Sequence, residues 1–341
     1  MKRWYLFPFS ILYNLGTSTR NMLYNIGLKR SVKFQTPVIC VGNLSVGGSG
    51  KSPMVMYLAD LISKYYRTGV LSRGYGRITK GYGITNYDSN YKSVGDEAMQ
   101  LFERFKNRFV VGVCEDRVSG AKKMISEMDL SVLLLDDAYQ HRAIKPGFNI
   151  LMTDYNDPYF KDYLLPAGDL RESRSGASRA QIIMVSKCPD DLTEEKKQFY
   201  ISRIRPKNAQ KVFFSSINYD ENIYSNNKSI PDNNLAFYDV LLITGIANPN
   251  PLVKHLSKFS DKVKHLKFRD HHSFTEGDIK NILAEYRKMG DYKMILTTEK
   301  DYVRLKTYDQ LRDVIFYWPI NVSIDRKEDF DQIVLDYVRK N

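Results

Sequence analysis

Short apolar runs rich in β-branched residues alternate along this chain with longer stretches whose apolar positions recur every three or four residues. That alternation predicts an α/β fold, a mostly parallel sheet with helices on both faces. Runs at 38–41, 68–72, 109–113, 132–136, 149–153, 182–186 and 212–215 read as strands, and 51–66, 98–105, 117–128 and 193–204 as helices. A polar stretch at 218–234, rich in Asn, Asp and Ser, interrupts the rhythm as a linker does. The rhythm then resumes with strands at 240–244, 263–268, 294–297 and 314–317 and helices at 251–259, 275–289 and 330–339. The pattern therefore predicts a larger α/β domain at 35–217, a linker at 218–238 and a smaller α/β domain at 239–341. A length of 341 residues suits two domains.

The start of the chain follows neither period. Residues 4–19 carry no charge and include Trp4, Tyr5, Leu6, Phe7, Phe9, Ile11, Leu12, Tyr13 and Leu15. The run falls short of the ~20 apolar residues of a membrane span, and Pro8, Asn14 and Gly16 interrupt it. Met1-Lys2-Arg3 has the charge of a signal-peptide start, but no small-residue cleavage site follows. A second apolar stretch, Met22 to Leu28, lies between Arg20 and Lys29-Arg30. Two readings remain for residues 1–34: a membrane-interfacial segment with cations at the headgroup boundary, or an amphipathic helix on the domain's own core.

Charge adds to this. The chain is net +12, which points to an anionic partner. Its first acidic residue is Asp60, preceded by Lys2, Arg3, Arg20, Lys29, Arg30, Lys33 and Lys51. The three cysteines, Cys40, Cys114 and Cys188, are odd in number and far apart, which excludes a disulfide framework and a cysteine zinc site.

The sharpest chemical signal follows the first strand. Ser45-Val46-Gly47-Gly48-Ser49-Gly50-Lys51-Ser52 sits between a buried-strand run and a helical pattern, the context a P-loop requires. Glycines let backbone N–H groups converge on phosphate oxygens at a helix N-terminus. Lys51 then reaches the β- and γ-phosphates of ATP, and the Ser52 hydroxyl serves Mg²⁺. The spelling departs from the usual motif only at Ser45, where glycine is common. The strand run 132–135 ends in Asp136-Asp137, which supplies the carboxylates such a site needs at a strand end near the metal.

Asp136-Asp137-Ala138-Tyr139-Gln140-His141 resembles a block of the tetraacyldisaccharide 4'-kinases, the lipid A pathway kinases of Gram-negative bacteria. Other blocks agree in the same order. They are 41–44 with 47–53, Ser72-Arg73-Gly74-Tyr75-Gly76-Arg77, Gly95-Asp96-Glu97-Ala98, the segment 164–172, Asp270-His271-His272, and Thr297-Thr298-Glu299-Lys300-Asp301. Ser52 replaces the more usual Thr, and Ala98 and Ser173 stand where many members have Pro; no reactive group is lost.

The resemblance implies transfer of the γ-phosphate of ATP to the 4'-hydroxyl of a membrane-embedded acylated disaccharide 1-phosphate, forming lipid IVA. It implies a peripheral, monotopic enzyme on the cytoplasmic face of the inner membrane. There the basic start meets an anionic surface worth about 1 kcal/mol per cation. Read alone, Asp96 is a helix N-cap; the resemblance makes it the base that takes the hydroxyl proton, with His271 as its partner across the linker. Such a pair would assemble when the two domains close. After the Pro-Ala-Gly loop, Arg171 suits phosphate oxygens and Glu172 suits Mg²⁺, the alternative being a surface ion pair. Arg73, Tyr75 and Arg77 read as substrate contacts, the arginines for the 1-phosphate, or else as solvated side chains. Thr298, Lys300 and Asp301 divide between a structural and a nucleotide role.

Two other readings compete. Val185-Ser186-Lys187-Cys188-Pro189 faintly resembles a guanine-reading loop, as in a GTPase or metallochaperone-type ATPase, but lacks its Asp. A basic nucleic-acid-binding protein fits the net charge, yet no nucleic-acid module is present and the cations gather at an apolar N-terminus.

Overall fold

The computed structural model of the chain describes residues 3–226 and 228–341. After helix α1 (Phe7–Asn25), the chain runs through β1 (Val38–Asn43), α2 (Lys51–Ser63), β2 (Thr68–Ser72) and β3 (Gly83–Ile84). Then come α3 (Tyr91–Val94), α4 (Asp96–Phe105), β4 (Val110–Val113), α5 (Arg117–Met128), β5 (Val132–Asp136) and β6 (Phe148–Asp154). Next are β7 (Ile182–Ser186), α6 (Glu194–Ile204), β8 (Lys211–Tyr219), β9 (Asn222–Tyr224) and β10 (Ser229–Pro231). The remainder is β11 (Asp239–Thr244), α7 (Asn250–Leu256), β12 (Val263–Lys267), α8 (Glu276–Arg287), β13 (Lys293–Thr298) and α9 (Glu299–Leu305). It closes with β14 (Ile315–Trp318), β15 (Ile320–Ile324) and α10 (Lys327–Lys340).

The larger sheet has the order β15-β8-β7-β6-β1-β5-β2-β4-β3. Its seven inner strands are parallel, and each edge strand is antiparallel to its neighbour. Strands β1, β2, β5 and β7 are buried at every residue, as a sheet covered on both faces demands. Alternation divides them between two cores: Ile39 and Val41 face α2, α4 and α10, while Val38 and Cys40 face α5, α6 and the segment after β6. The smaller sheet has the order β10-β9-β14-β13-β11-β12, with four parallel strands and an antiparallel pair at one edge.

Two expected boundaries need correction. The C-terminal residues do not belong to the smaller unit. Strand β15 pairs with β8, from Ile320 against Tyr219 to Ile324 against Ser215. Helix α10 lays Phe330, Val334 and Val338 into the core of the larger sheet. Phe330 is fully buried, with ring centroids 6.0 Å from Tyr57 and 5.4 Å from Phe213. Nor is 218–238 a free linker. It holds the end of β8, both short strands of the smaller sheet and a turn, because Ile223 within the polar run and Leu235 just after it fill the smaller core. The chain thus crosses between the sheets twice.

Helix α1 reverses the usual sense of an amphipathic surface helix. Its polar face docks: Ser10 Oγ donates to the Leu164 carbonyl, Tyr13 Oη to the Arg171 carbonyl, and Asn21 Nδ2 to Glu172 Oε2. Within the helix only Ser10 is buried. The apolar side faces outward, with Ile11 59%, Leu12 68% and Leu15 66% exposed. A helix packed through its apolar face onto the protein's own core is therefore not what forms. Among the described residues, no helix is long and apolar enough to cross a membrane.

Since Phe330 bridges α2 and β8 from the far end of the chain, Phe330→Ala is expected to cost about 3–5 kcal/mol in denaturant unfolding. Removing the exposed ring of Tyr292 by Tyr292→Ala is expected to cost little by the same measurement.

Candidate active site

The glycine loop leaves β1 at the carboxyl edge of the larger sheet. Gly47 and Gly50 take positive φ, +101° and +76°, whereas Ser45 does not. Ser45 instead forms a bridge with Leu170, flanked by Val46 N–H donating to the Asp169 carbonyl and Arg171 N–H to the Leu44 carbonyl. This accounts for a serine where glycine is common: the position is extended, not left-handed. Gly42 must be glycine, because a Cβ there would lie 2.5 Å from Tyr139 Cβ.

Lys51, Asp136, Asp137 and Arg171 meet at this loop. Lys51 Nζ donates to Asn43 Oδ1 at 3.2 Å and lies 3.8 Å from Asp137 Oδ1. Arg171 pairs with Asp137 at 2.8 Å and also donates to Asn43 Oδ1. Burial lowers the Lys51 pKa, partly offset by Asp137. Asp137 is held below the ordinary carboxylate range, since Lys51 and Arg171 outweigh its burial. Asp136 goes the other way: burial first, then the charges of Asp137 and Glu97, push it up to about 7. Its Oδ1 is buried with no hydrogen-bond partner. A hidden, unpartnered carboxylate oxygen whose charge reaches the P-loop lysine is a donor that fits a hard divalent cation. Ser52 and Asp136 thus remain suited to Mg²⁺.

Glu172 does not. It is fully buried, and its oxygens accept from Arg179 twice at 2.8 Å, from Gln140 at 2.9 Å and from Asn21 at 2.9 Å. With those partners it anchors the 164–172 segment and α1 rather than reaching a metal. Arg77 also departs from expectation: its guanidinium pairs with Glu115 at 2.6 Å and donates to the Gly81 carbonyl, so it braces its own loop. Arg73 is exposed, and its charge helps lower the pKa of His141, after burial and Arg117. Tyr75 is exposed, with its ring edge-on to His271 at 5.3 Å.

Asp96 and His271 come together from the two sheets. Asp96 opens α4 after Gly95, whose φ of +89° lets the backbone pass close to Tyr75. His271 follows β12, with φ +54° and its N–H donating to the Gly245 carbonyl. Its Nδ1 lies 3.0 Å from Asp96 Oδ2, and its Nε2 lies 3.0 Å from Lys300 Nζ. A neutral ring with hydrogen on Nδ1 satisfies both contacts, donating to Asp96 and accepting from Lys300. Arg304 completes the arrangement, with Nε 2.9 Å from Asp96 Oδ1 and Nη2 on Oδ2. Burial tends to raise the Asp96 pKa, but the hydrogen bonds from His271 and Arg304 outweigh it and hold it low. Lys300 also pairs with Glu97 at 3.3 Å. Glu97 in turn acts electrostatically on Lys51 and Asp136, so the pair lies within reach of the glycine loop's field.

Sequence reasoning missed Arg304, Glu97 and Arg117. Arg304 carried no local signal, its partner lying 208 residues away. Glu97 sat beside Asp96 in a motif already noted. Arg117 is buried under Asp136, donating to its carbonyl at 3.3 Å. Of the unassigned trio, Thr298 caps α9 by accepting from the Asp301 N–H, Asp301 accepts from the Gly245 N–H at 2.8 Å, and Lys300 faces His271.

The family model described as tetraacyldisaccharide-1-P 4'-kinase matches residues 2–339. A tetraacyldisaccharide 4'-kinase of Flavobacterium johnsoniae is 43% identical, over 98% of this chain and 97% of its own. One of Bacteroides thetaiotaomicron is 39% identical, over 99% of this chain and 93% of its own. A crystal structure of LpxK from Aquifex aeolicus in complex with ATP superposes with a TM-score of 0.78 at 30% identity, covering 98% of this chain and 99% of that one.

Asp96→Asn takes away the carboxylate that meets two nitrogens of the buried Arg304 guanidinium and leaves it Asp301 alone, so a loss of about 3 kcal/mol is expected at neutral pH. Because the folded pKa of Asp96 is depressed, its contribution is full above the ordinary value of 3.8 and is lost as pH falls through the lower folded value. Unfolding curves of wild type and variant should therefore converge under acid. A gap that stays constant into strong acid would contradict this pairing.

Proposed function

This chain belongs to the tetraacyldisaccharide-1-P 4'-kinase family, and from that premise we propose how its residues divide the reaction. As a family member, it transfers the γ-phosphate of ATP to the 4'-hydroxyl of a tetraacyldisaccharide 1-phosphate in lipid A synthesis. The observation that carries the assignment of roles is the Asp96–His271 contact, made across the two sheets beside a P-loop.

The backbone N–H groups of residues 45–52 and the start of α2 cradle the phosphates of ATP. Lys51 and Arg171, now resting on Asn43 and Asp137, turn to the phosphate oxygens when nucleotide is present. Ser52 and Asp136, with Asp137 adjoining, would hold Mg²⁺. When bound, that ion would neutralise the negative charge of the phosphates. The acceptor hydroxyl enters from the side of Tyr75 and Arg73, with Arg73 suited to the substrate's 1-phosphate. The Asp96–His271 pair takes its proton as the oxygen bonds to phosphorus and ADP departs. In the resting geometry Arg304 and His271 occupy both acceptor sites of Asp96 Oδ2 and one on Oδ1, which leaves a lone pair on Oδ1 for the acceptor hydroxyl. Lys300 fixes the far nitrogen of the ring.

The outward apolar side of α1 supports a peripheral, monotopic position on the cytoplasmic face of the inner membrane, where the acylated acceptor resides. The acid-free basic start favours an anionic surface there.

Incubation with ATP, Mg²⁺ and the disaccharide 1-phosphate, followed by mass analysis, should show addition of one phosphate by wild type. Lys51→Ala should lower that product by more than a hundredfold while circular dichroism stays unchanged, because the cation at the transferred group is lost. Normal turnover by a folded Lys51→Ala protein would remove the glycine loop from the mechanism.

A further inference from the structure

A groove of about 660 Å³ opens between α6 and the segment that follows β6, outside the residues already discussed. Its floor is mixed aromatic and aliphatic, including buried Tyr159 and half-exposed Phe199. Its rim carries Arg174, Arg203, Arg205 and Lys207, all exposed. Among the described residues that line it there is no carboxylate. The rim charges meet rings and carbonyls instead. Arg174 gives Nε and Nη2 to the Asp162 carbonyl, and Arg203 lies 5.4 Å from the Phe199 ring centroid. Several cations gathered around an apolar floor that no described carboxylate lines form an anion site that also tolerates hydrocarbon.

The groove shares its wall with the platform of α1. Ser10 donates to the Leu164 carbonyl, and Phe7 and Tyr163 meet edge to face at 6.2 Å, on the segment that supplies Tyr159 and Arg174 to the groove. We propose that this groove binds the phosphate headgroup of an anionic phospholipid lying in the same leaflet as α1. The protein would then grip the membrane at two points, one apolar and one ionic. Guanidinium groups match the phosphodiester, and the aromatic floor accepts the glycerol and the first methylenes, which free phosphate lacks. The proposal rests on the interfacial reading of α1 for its orientation, and the two are tested by separate variants.

The test uses the full chain and co-sedimentation with phosphatidylcholine vesicles, with and without phosphatidylglycerol. The variant Arg203→Gln/Arg205→Gln/Lys207→Gln should partition onto the anionic vesicles about tenfold more weakly than wild type, and onto neutral vesicles equally. The charge-preserving Arg203→Lys/Arg205→Lys/Lys207→Arg should keep most of the wild-type binding, losing only what the guanidinium fork adds, which separates loss of charge from loss of fold. An equal loss of charge elsewhere, Lys254→Gln/Lys258→Gln/Lys280→Gln, should weaken binding far less. A groove variant no weaker than that control overturns the proposal. So does a result in which inorganic phosphate raises the unfolding temperature of wild type but not of the groove variant, while both bind vesicles alike; the ligand would then be free phosphate. Leu12→Ser/Leu15→Ser probes α1 alone. If it loses vesicle binding and the groove variant does not, the groove proposal fails and the interfacial helix stands. If the groove variant loses binding and the α1 variant does not, the groove stands and the helix reading fails.

Discussion

A carboxylate buried at the start of α4 cannot stay charged without partners, and Asp96 finds both of its partners on the other sheet. Arg304 holds both of its oxygens, and His271 holds Oδ2. Around this contact α4 and α9 are laced by further pairs: Lys300 with Glu97 at 3.3 Å, Arg104 with Glu299 at 3.2 Å, and Lys306 with Glu103 at 2.5 Å. These pairs hold one relative position of the two sheets and place His271, in a left-handed backbone conformation, beside Asp96. Strain of that kind persists only where surrounding structure over-determines it, which the Gly245 carbonyl, Asp96 and Lys300 do here.

The same economy of contact links the outer helix to the phosphate loop. The segment 164–172 receives α1 through Ser10, Tyr13 and Asn21 on one side. On the other it zips onto Ser45 and Val46 and sends Arg171 to Asp137. Glu172, buried among Arg179, Gln140 and Asn21, is the pin of that assembly. A helix whose apolar side faces outward is thereby joined by a short run of hydrogen bonds to a side chain beside the glycine loop.

The sequence disclosed what depends on neighbours in the chain. Strands buried on both faces read as apolar runs, so all seven parallel strands of the larger sheet were foreseen within a few residues. The glycine loop and Asp136-Asp137 were legible because phosphate and metal chemistry demand fixed local spacing. Edge strands β3 and β15 escaped because they are short and mixed in polarity, and α10 was misplaced because its period shows a helix but not which sheet it covers. Side chains paired over long separations were the hardest to see. Glu172 read as a metal ligand because nothing nearby announces Arg179 and Asn21 as its partners. Arg304 was invisible because the carboxylate it holds through two nitrogens lies 208 residues away, on the other sheet's helix.

In the proposed reaction Asp96 and His271 act as one proton-accepting unit across the two sheets. A double-mutant cycle on turnover, with nucleotide dissociation constants measured in parallel, tests it most directly. Asp96→Ala and His271→Ala should each lower kcat strongly, the double variant should be little worse than Asp96→Ala alone, and ATP affinity should barely move. Fully additive losses, or loss of ATP binding in any of the three, would contradict it.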